Sequence, residues 1–344
     1  MDAQTRELLA GSLRGLLAGM PSGASPRAAL ADLGWADVLA EDPAAATTAL
    51  FVEHGRALAR SRALEDPVLA ELAGVLGAAP AGRAWVHPHP ALLDPTDGGP
   101  AGEATGPDRP GAVAARDDAR PGRCRVVGVV TGGLDGVDEL VVPLRVGGSV
   151  AAAVVPVDAV EATPLDTFDR DLGWSQISMR HLPAESTDLG TLWPATVAAA
   201  RRALAAEILG GCQAMLELAV EHTRARTQFG RPIASFQAVR HRLAEAHTAI
   251  TGCADLLDAA WADGSPWSAA VAKQSAGHLH TTVSGHALQV CGAVGLSEEH
   301  TLHRYVSRGV VLDALYVPHQ VLDAQLGREL LDAAGTPLPR VVTL

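Results

Sequence analysis

Apolar residues near the start of the chain recur every three or four positions, which is the spacing of one face of an α-helix. The pattern extends over residues 1–80 and predicts a small helical unit. Two prolines at 21–26 interrupt it, so we expect more than one helix there. The first run shows the spacing most clearly, with Leu8, Leu9, Leu13, Leu16 and Leu17.

A valine-rich stretch follows, in which apolar runs alternate with Gly-Gly and Asp-Gly turn sequences. Such runs are typical of β-strands, and they predict a middle β domain over residues 81–185. The Gly/Pro/Asp-rich segment 98–122 lacks hydrophobic periodicity, which predicts a mobile loop or a disordered insertion. The strand-like runs are Arg123–Thr131, Glu139–Val146 and Ser149–Val157.

Residues 190–335 return to helical spacing, in two successive apolar stripes. The stripes predict antiparallel helices of a C-terminal four-helix bundle. With the β domain between two helical parts, the fold class is α+β. The first stripe is Leu204, Ile208, Met215 and Leu218; the second is Val239, Leu243, Ala246, Ile250, Cys253 and Leu257.

Composition and charge limit the kind of protein and the kind of partner. The 344 residues are 48% hydrophobic, as in a globular protein with a core, and 27 basic against 39 acidic residues give a net charge of −12. This charge argues against a nucleic-acid partner. The first residues do not resemble a signal peptide, and we expect no membrane-spanning segment. Lys273 is the only lysine, a skew that we attribute to coding bias.

The four cysteines give no regular pattern. They lie far apart without a CxxC spacing, which favours neither a disulfide framework nor a metal site. A reducing cytoplasm is the expected location. The pair His87 and His89 is interpreted as loop surface rather than metal ligands, and His300 and His303 as a loop or cap. We expect His278, His280 and His286 to serve in packing or to lie on the surface.

Arg226-Thr227-Gln228-Phe229-Gly230 joins the two long helical patterns. The segment resembles the C-terminal domain of the acyl-CoA dehydrogenase family, in which two long helices meet at RxQFGxPI..FQ. The resemblance implies an acyl-CoA dehydrogenase-like fold in which Arg226, with Gln228 and Phe229 beside it, reaches the pyrophosphate of an FAD held by the neighbouring subunit. The planar fork of an arginine suits bidentate phosphate binding.

A second segment, ALQVCGAVG at 287–295, resembles the family's AxQxxGGxG element. This resemblance implies that Gln289 and Gly292 contact the adenosine half of the same FAD. A backbone at glycine can approach a dinucleotide closely. The segment from His303 to Arg308 stands where the family begins a helix with ER..RD.

The family's catalytic positions are different here. Its usual base is the glutamate of a Tyr-Glu-Gly-Thr element, and the matching residues are Tyr316, Val317, Pro318 and His319. A less common base position, on the first long helix, corresponds to Ala200. Nothing between residues 84 and 130 matches the Thr-Glu-Pro element that holds the flavin ring. The resemblance thus implies no catalytic residue at either usual position.

In the family, the elements that are missing here, namely the base and the element that holds the flavin ring, serve a subunit's own flavin and substrate. The elements that remain, Arg226, Gln289 and Gly292, serve the flavin of a neighbouring subunit. The family includes α2β2 dehydrogenases, some acting on steroid side-chain acyl-CoA thioesters, that pair a catalytic chain with a base-less one. Our first hypothesis is such a non-catalytic subunit of an FAD-dependent enzyme, whose partner binds the acyl-CoA. One alternative is a self-sufficient enzyme of the same fold with noncanonical chemistry, which uses His319 or an arginine. Another is a structural or acyl-carrier-binding module.

Overall fold

The computed structural model describes residues 1–93 and 125–332, apart from positions 147, 170 and 182. The predicted insertion 98–122 lies outside the described residues. The chain forms two compact units. The helical unit comprises Met1–Met20, Ala29–Ala59 and the chain from Ala198 onward. The β unit comprises Pro21–Ala28 and Arg60–Val197.

The described helices are α1 (Ala3–Ala18), α2 (Arg27–Asp32), α3 (Trp35–Glu41), α4 (Pro43–Arg56), α5 (Glu65–Leu76), α6 (Leu192–Ala225), α7 (Gln237–Asp263), α8 (Pro266–Cys291), α9 (Leu302–Ala314) and α10 (His319–Asp332). The described strands are β1 (Arg83–Trp85), β2 (His87–Pro88), β3 (Arg125–Val130), β4 (Glu139–Val146), β5 (Ser149–Pro156), β6 (Glu161–Pro164), β7 (Ser175–Met179), β8 (Thr187–Asp188), β9 (Thr227–Gln228) and β10 (Arg231–Pro232).

Several helix ends follow directly from capping residues. Asp42 caps α4 by accepting from Ala45 N at 3.0 Å, and Pro43 takes the first helical position. Ser265 caps α8 in the same way, accepting from Ser268 N at 3.1 Å. The preceding helix, α7, ends at Gly264 in the left-handed conformation.

Within the helical unit, α4 and α6 approach closely through glycines. A Cβ added to Gly55 would lie 2.9 Å from the carbonyl carbon of Glu207, and one added to Gly210 would lie 2.8 Å from that of Val52. Beside this contact His54 Nδ1 lies 3.0 Å from Glu207 Oε1, with both side chains buried. Small residues at these positions therefore set the separation of the two helices.

The 34-residue helix α6 is long and apolar enough to cross a membrane by length and composition, which differs from the sequence expectation of no such segment. However, 67% of its most apolar window is buried inside the fold. The apolar stripe predicted for this helix also lies inside the fold, because Leu204, Ile208 and Met215 are almost completely buried. This is the pattern of a core helix of a globular protein.

The β unit contains two four-stranded sheets, in the orders β1-β4-β5-β8 and β2-β3-β7-β6. Strands β4 and β5 form an antiparallel hairpin paired from Glu139↔Pro156 to Val146↔Ser149. Inward-facing valine, leucine and alanine side chains of both sheets form one core cluster. The strands predicted from the valine-rich runs are confirmed as β3, β4 and β5, and the α+β class is confirmed. The three-part domain division stays a prediction.

Candidate functional site

The corner between α6 and α7 is a two-residue hairpin. Strands β9 and β10 pair in antiparallel register, and Phe229 and Gly230 at the tip have φ values of 53° and 77°. Two positive φ angles define the tight turn whose twist suits a hairpin, although phenylalanine rarely adopts one. Arg226 N donates to His222 O, and Ile233 N donates to Arg226 O, both at 2.8 Å. The backbone of the corner is therefore fixed locally.

The side chains of this corner face outward. Arg226 and Gln228 are exposed, and Phe229 is 91% exposed. The Phe229 ring meets the Phe236 ring edge to face at 6.0 Å, and the guanidinium of Arg231 lies 4.2 Å above the Phe236 ring. Such contacts between aromatic rings and a cation favour one arrangement of the exposed side chains. The corner thus presents cationic, amide and aromatic groups on a fixed backbone.

The second predicted segment ends α8. Gln289 and Gly292 are exposed, Gly292 has a φ of 63°, and nothing lies within 4 Å of a Cβ built on it. At the same place Cys291 approaches His222, which belongs to the last turn of α6. The structure therefore brings the end of α8 to the base of the corner. The role of these residues in binding FAD stays a prediction.

The two positions that the resemblance associates with a base are apolar and buried. Ala200 is fully buried in α6, and Val317 is 3% exposed. Tyr316 and Val317 have φ values of 54° and 81°, which are strained for residues with large side chains. Arg201 Nε donates to Tyr316 O at 3.4 Å. Burial lowers the pKa of Arg201 to about 10.

Lys273, His319 and Asp313 form a buried polar network behind this strained turn. Lys273 is 0% exposed and donates from Nζ to Asp313 Oδ1 at 2.8 Å, to Asp313 O at 3.0 Å and to Val317 O at 3.4 Å. His319 Nδ1 and Asp313 Oδ2 lie 2.7 Å apart. The network ties α8, the end of α9 and the start of α10 together.

The charges within the network depend on one another. Burial lowers the pKa of Lys273, and Asp313 offsets only part of this. Burial would raise the pKa of Asp313, but the charge of Lys273 and the hydrogen bonds from Lys273 and His319 outweigh it and lower that pKa. The ammonium is thus destabilised by burial while the carboxylate is stabilised by its partners. With a 2.8 Å contact between them, we assign the ion pair as the form near neutral pH.

Glycines make room for these polar groups. A Cβ on Gly277 would lie 2.6 Å from His319 Cβ and would also overlap Asp313 Oδ1. Similarly, a Cβ on Gly309 would lie 2.7 Å from Cγ of the buried His280. Burial lowers the pKa of His280. Side chains larger than hydrogen at 277 or 309 would therefore displace the histidines.

Sequence reasoning missed Lys273, which was attributed to coding bias, and it did not single out Asp313. The fact that Lys273 is the only lysine was the available signal. The interpretation of His87 as loop surface was also wrong. His87 lies in β2 and is 1% exposed, with its Nε2 3.4 Å from Thr131 Oγ1. Burial lowers its pKa to about 3, so it is neutral near pH 7.

Comparisons with known proteins first define the fold. The chain superposes on a structure of the ChsE4–ChsE5 complex from Mycobacterium tuberculosis with a TM-score of 0.71 and 23% identity, covering 98% of this chain and 99% of the other. It also superposes on glutaryl-CoA dehydrogenase from Mycobacterium smegmatis in complex with FADH2, with a TM-score of 0.70 and 14% identity over 98% and 97% of the two chains. The fold is that of the acyl-CoA dehydrogenases.

The sequence comparison is more specific for one part of the chain. Residues 193–313, which include the corner, Lys273 and Asp313, match the acyl-CoA dehydrogenase C-terminal domain. The match is confined to this part of the chain. A curated relative, acyl-CoA dehydrogenase IpdE2 from Mycobacterium tuberculosis, is 36% identical over 105 residues, which are 30% of this chain and 33% of the relative. The matched segments span only about a third to a half of the first such relatives.

Proposed function

We propose that this chain is the non-catalytic subunit of an FAD-dependent, heteromeric acyl-CoA dehydrogenase, and that it lends its corner to the FAD of a catalytic partner. The observation that carries the proposal is the corner itself. Arg226, Gln228 and Phe229 face solvent from a backbone that is already fixed. A largely exposed phenylalanine at a strained φ is costly for a lone chain and favours a surface that something else covers.

The exposed groups fit an FAD dinucleotide. The Arg226 guanidinium can bind the pyrophosphate through two parallel hydrogen bonds, and the Gln289 amide can bond the adenosine half. Open space at Gly292 allows a ligand to approach the backbone. When bound, the flavin supplies the hydride acceptor for α,β-desaturation of an acyl thioester. Arg226, Gln289 and Gly292 of this chain would hold and orient the pyrophosphate and adenosine half of the FAD that the partner binds.

The substituted base positions support a non-catalytic role. General base catalysis needs a group that can take a proton within hydrogen-bond reach of the substrate. Ala200 and Val317 offer none, and both are buried. Next to Val317, the network of Lys273, Asp313 and His319 fills the region with groups that bond to one another. The base would therefore come from the partner, which would also bind the acyl-CoA.

The names of the similar proteins indicate the kind of partner and substrate. One structural neighbour is a complex of two different chains, and another is described as a steroid acyl-CoA dehydrogenase. We infer a heterotetramer with a catalytic subunit of the same family, acting on a bulky acyl-CoA such as a steroid side chain, in the cytoplasm. Pairing would cover the exposed corner.

The test is co-purification with the acyl-CoA dehydrogenase-family chain encoded nearest to it, followed by the visible spectrum and FAD content. We expect a colourless chain alone and a yellow complex with one FAD per heterodimer. Arg226→Ala should leave the complex intact and weaken FAD binding roughly 10- to 150-fold, the loss expected for a hydrogen bond to a charged group. Arg328→Ala, which removes an exposed arginine from α10, is the matched control and should change nothing.

Stoichiometric FAD on the lone chain, or unchanged FAD affinity in Arg226→Ala, would refute the proposed role of the corner. Unchanged affinity would favour a structural module in which the flavin contacts are relics. Failure of the two chains to form a complex would refute the subunit role itself.

A second candidate function is supported by one observation. Asp313 orients His319 through Nδ1 at 2.7 Å, which leaves Nε2 as the basic nitrogen of the ring in its neutral form. An oriented imidazole of this kind can act as a general base. Turnover by the isolated chain that is lost in His319→Gln, with the fold retained by circular dichroism, would favour a self-sufficient enzyme over the non-catalytic subunit.

A further inference from the structure

Three possible metal ligands meet where the last turn of α6, the end of α8 and the segment before α9 converge. They are His222, Cys291 and His300, and their ligand atoms all lie within 4.8 Å of one another. The two imidazole rings are 6.0 Å apart between centroids and nearly perpendicular. Cys291 is 5% exposed, whereas both histidines are partly buried. All three residues belong to the helical unit.

We propose that His222, Cys291 and His300 form a binding site for a divalent transition metal, with Zn²⁺ as the expected ion. Two imidazoles and a thiolate are ligands that zinc prefers, and zinc commonly takes four ligands. A water molecule at the accessible side of the histidines would complete the set. The proposal is independent of the FAD role proposed above.

The separations suit metal binding after a small contraction. Tetrahedral zinc with bonds of about 2.0–2.3 Å places its ligand atoms about 3.3–3.6 Å apart. The ligand atoms of the cluster are within about 1.5 Å of that spacing, so metal binding requires them to approach one another by up to that amount. Cys291 ends α8 and is followed by Gly292 at a φ of 63°, so its thiol lies where the chain leaves the helix.

The protonation states also suit a metal. Burial, together with His300 and Arg226, lowers the pKa of His222, which favours the neutral ring that a metal needs. Burial raises the pKa of the Cys291 thiol, but a bound dication deprotonates a coordinating thiol.

A hydrogen bond from the backbone holds the His300 ring in the metal-free chain. Leu302 N donates to His300 Nδ1 at 3.1 Å, which holds the ring at the start of α9. Coordination through either ring nitrogen would give up this hydrogen bond, because the neutral ring carries one proton and one lone pair. Metal binding therefore has to break this hydrogen bond, which leaves Leu302 N without that acceptor, and the metal–nitrogen bond must outweigh this cost.

A metal here would have a structural effect on the corner. It would connect the helix that leads into Arg226 to the turn that carries Gln289 and Gly292. The residues predicted to contact one FAD, Arg226, Gln289 and Gly292, would then be held at a fixed separation. The sequence predicted no metal site, since the three residues lie in different elements and form no regular spacing.

Cobalt is the probe, because Co²⁺ replaces Zn²⁺ and its spectrum reports the ligands. Chelator-treated full-length protein is titrated with Co²⁺, and then with Zn²⁺ as competitor. We expect one equivalent to bind, with a thiolate-to-cobalt absorption band and visible bands of tetrahedral intensity that Zn²⁺ abolishes. Cys291→Ser should remove the thiolate band. Cys253→Ser, which alters a buried cysteine of α7 outside the cluster, should retain it.

His222→Gln provides a variant that keeps every cysteine, so it tests the site even if Cys291→Ser folds poorly. Its Co²⁺ affinity should fall by more than the roughly 10- to 100-fold typical of losing an outer-shell partner. The absence of stoichiometric Co²⁺ binding would overturn the proposal. So would a thiolate band that persists in Cys291→Ser, or an affinity unchanged in His222→Gln, which would indicate adventitious binding elsewhere.

Discussion

Replacing Lys273 with methionine should strongly destabilise the helical unit. The ammonium is 0% exposed and donates to three oxygens, of which the nearest is Asp313 Oδ1 at 2.8 Å. Methionine approximates the volume of the lysine stem but leaves the Asp313 carboxylate, at 11% side-chain exposure, without its cation. Removing one partner of a buried ion pair costs about 3–5 kcal/mol. Because His319 still donates to Asp313, we expect the lower end, about 3 kcal/mol.

The assay is urea-induced unfolding of the full chain followed by far-ultraviolet circular dichroism, which reports mainly on this helical unit. Glu217→Gln is the control. It removes a charge from an ion pair with Arg56 whose glutamate side chain is 63% exposed, and such pairs contribute little. The double variant Lys273→Met/Asp313→Leu should recover part of the loss, because no buried carboxylate remains uncompensated. A loss below about 1 kcal/mol in Lys273→Met would refute our account of the network.

Two further changes test other buried groups. His87 has a folded-state pKa of about 3 against about 6.5 when unfolded. The unfolded chain therefore binds more protons between these values, and stability should fall as pH decreases below 6.5, by about 2 kcal/mol at pH 5. His87→Gln should reduce the dependence of the unfolding free energy on pH, measured by acid unfolding. His181→Gln, at an exposed position, should not reduce it. Equal pH dependence in the two variants would exclude His87 as the cause. Gly277→Ala should destabilise the protein by about 1–3 kcal/mol, because the added methyl group overlaps with His319. Gly252→Ala, on an open face of α7, should stabilise it slightly. Equal effects of the two changes in thermal melts would contradict the packing argument.

Local sequence pattern predicted the elements whose signals are local. The stripe on α6 and the runs of β3, β4 and β5 were predicted because amphipathic spacing and valine-rich alternation act over a few residues. The short strands β1, β2, β6 and β8 were not, since two to four residues carry no usable period. Helix α5 illustrates a second limit: its sequence is helical, but its grouping with the β unit depends on long-range contacts.

The same limit applies to the site. The corner was visible in sequence because its residues are contiguous and resemble a known pattern. Lys273 and Asp313 are 40 residues apart, and only the folding of α8 against α9 brings them together. His87 was misjudged because it was interpreted only as one of two closely spaced histidines without further metal ligands, whereas pairing with β3 buries it. A tertiary contact, rather than a local propensity, decides each of these cases.

The contrast between the two regions of the helical unit bears on the alternatives for this chain. Near Val317 three ionisable side chains are taken out of water, which is costly unless each is bonded to another, and here they are. At the corner the opposite holds, because Phe229 stays in water at a strained φ where a smaller residue would be less costly. A structural module would need only the first arrangement. A chain that acted alone on an acyl thioester would need an accessible base where the network now lies. The subunit that we propose, which has no accessible base of its own and offers an aromatic and cationic corner to a neighbour, would account for both arrangements.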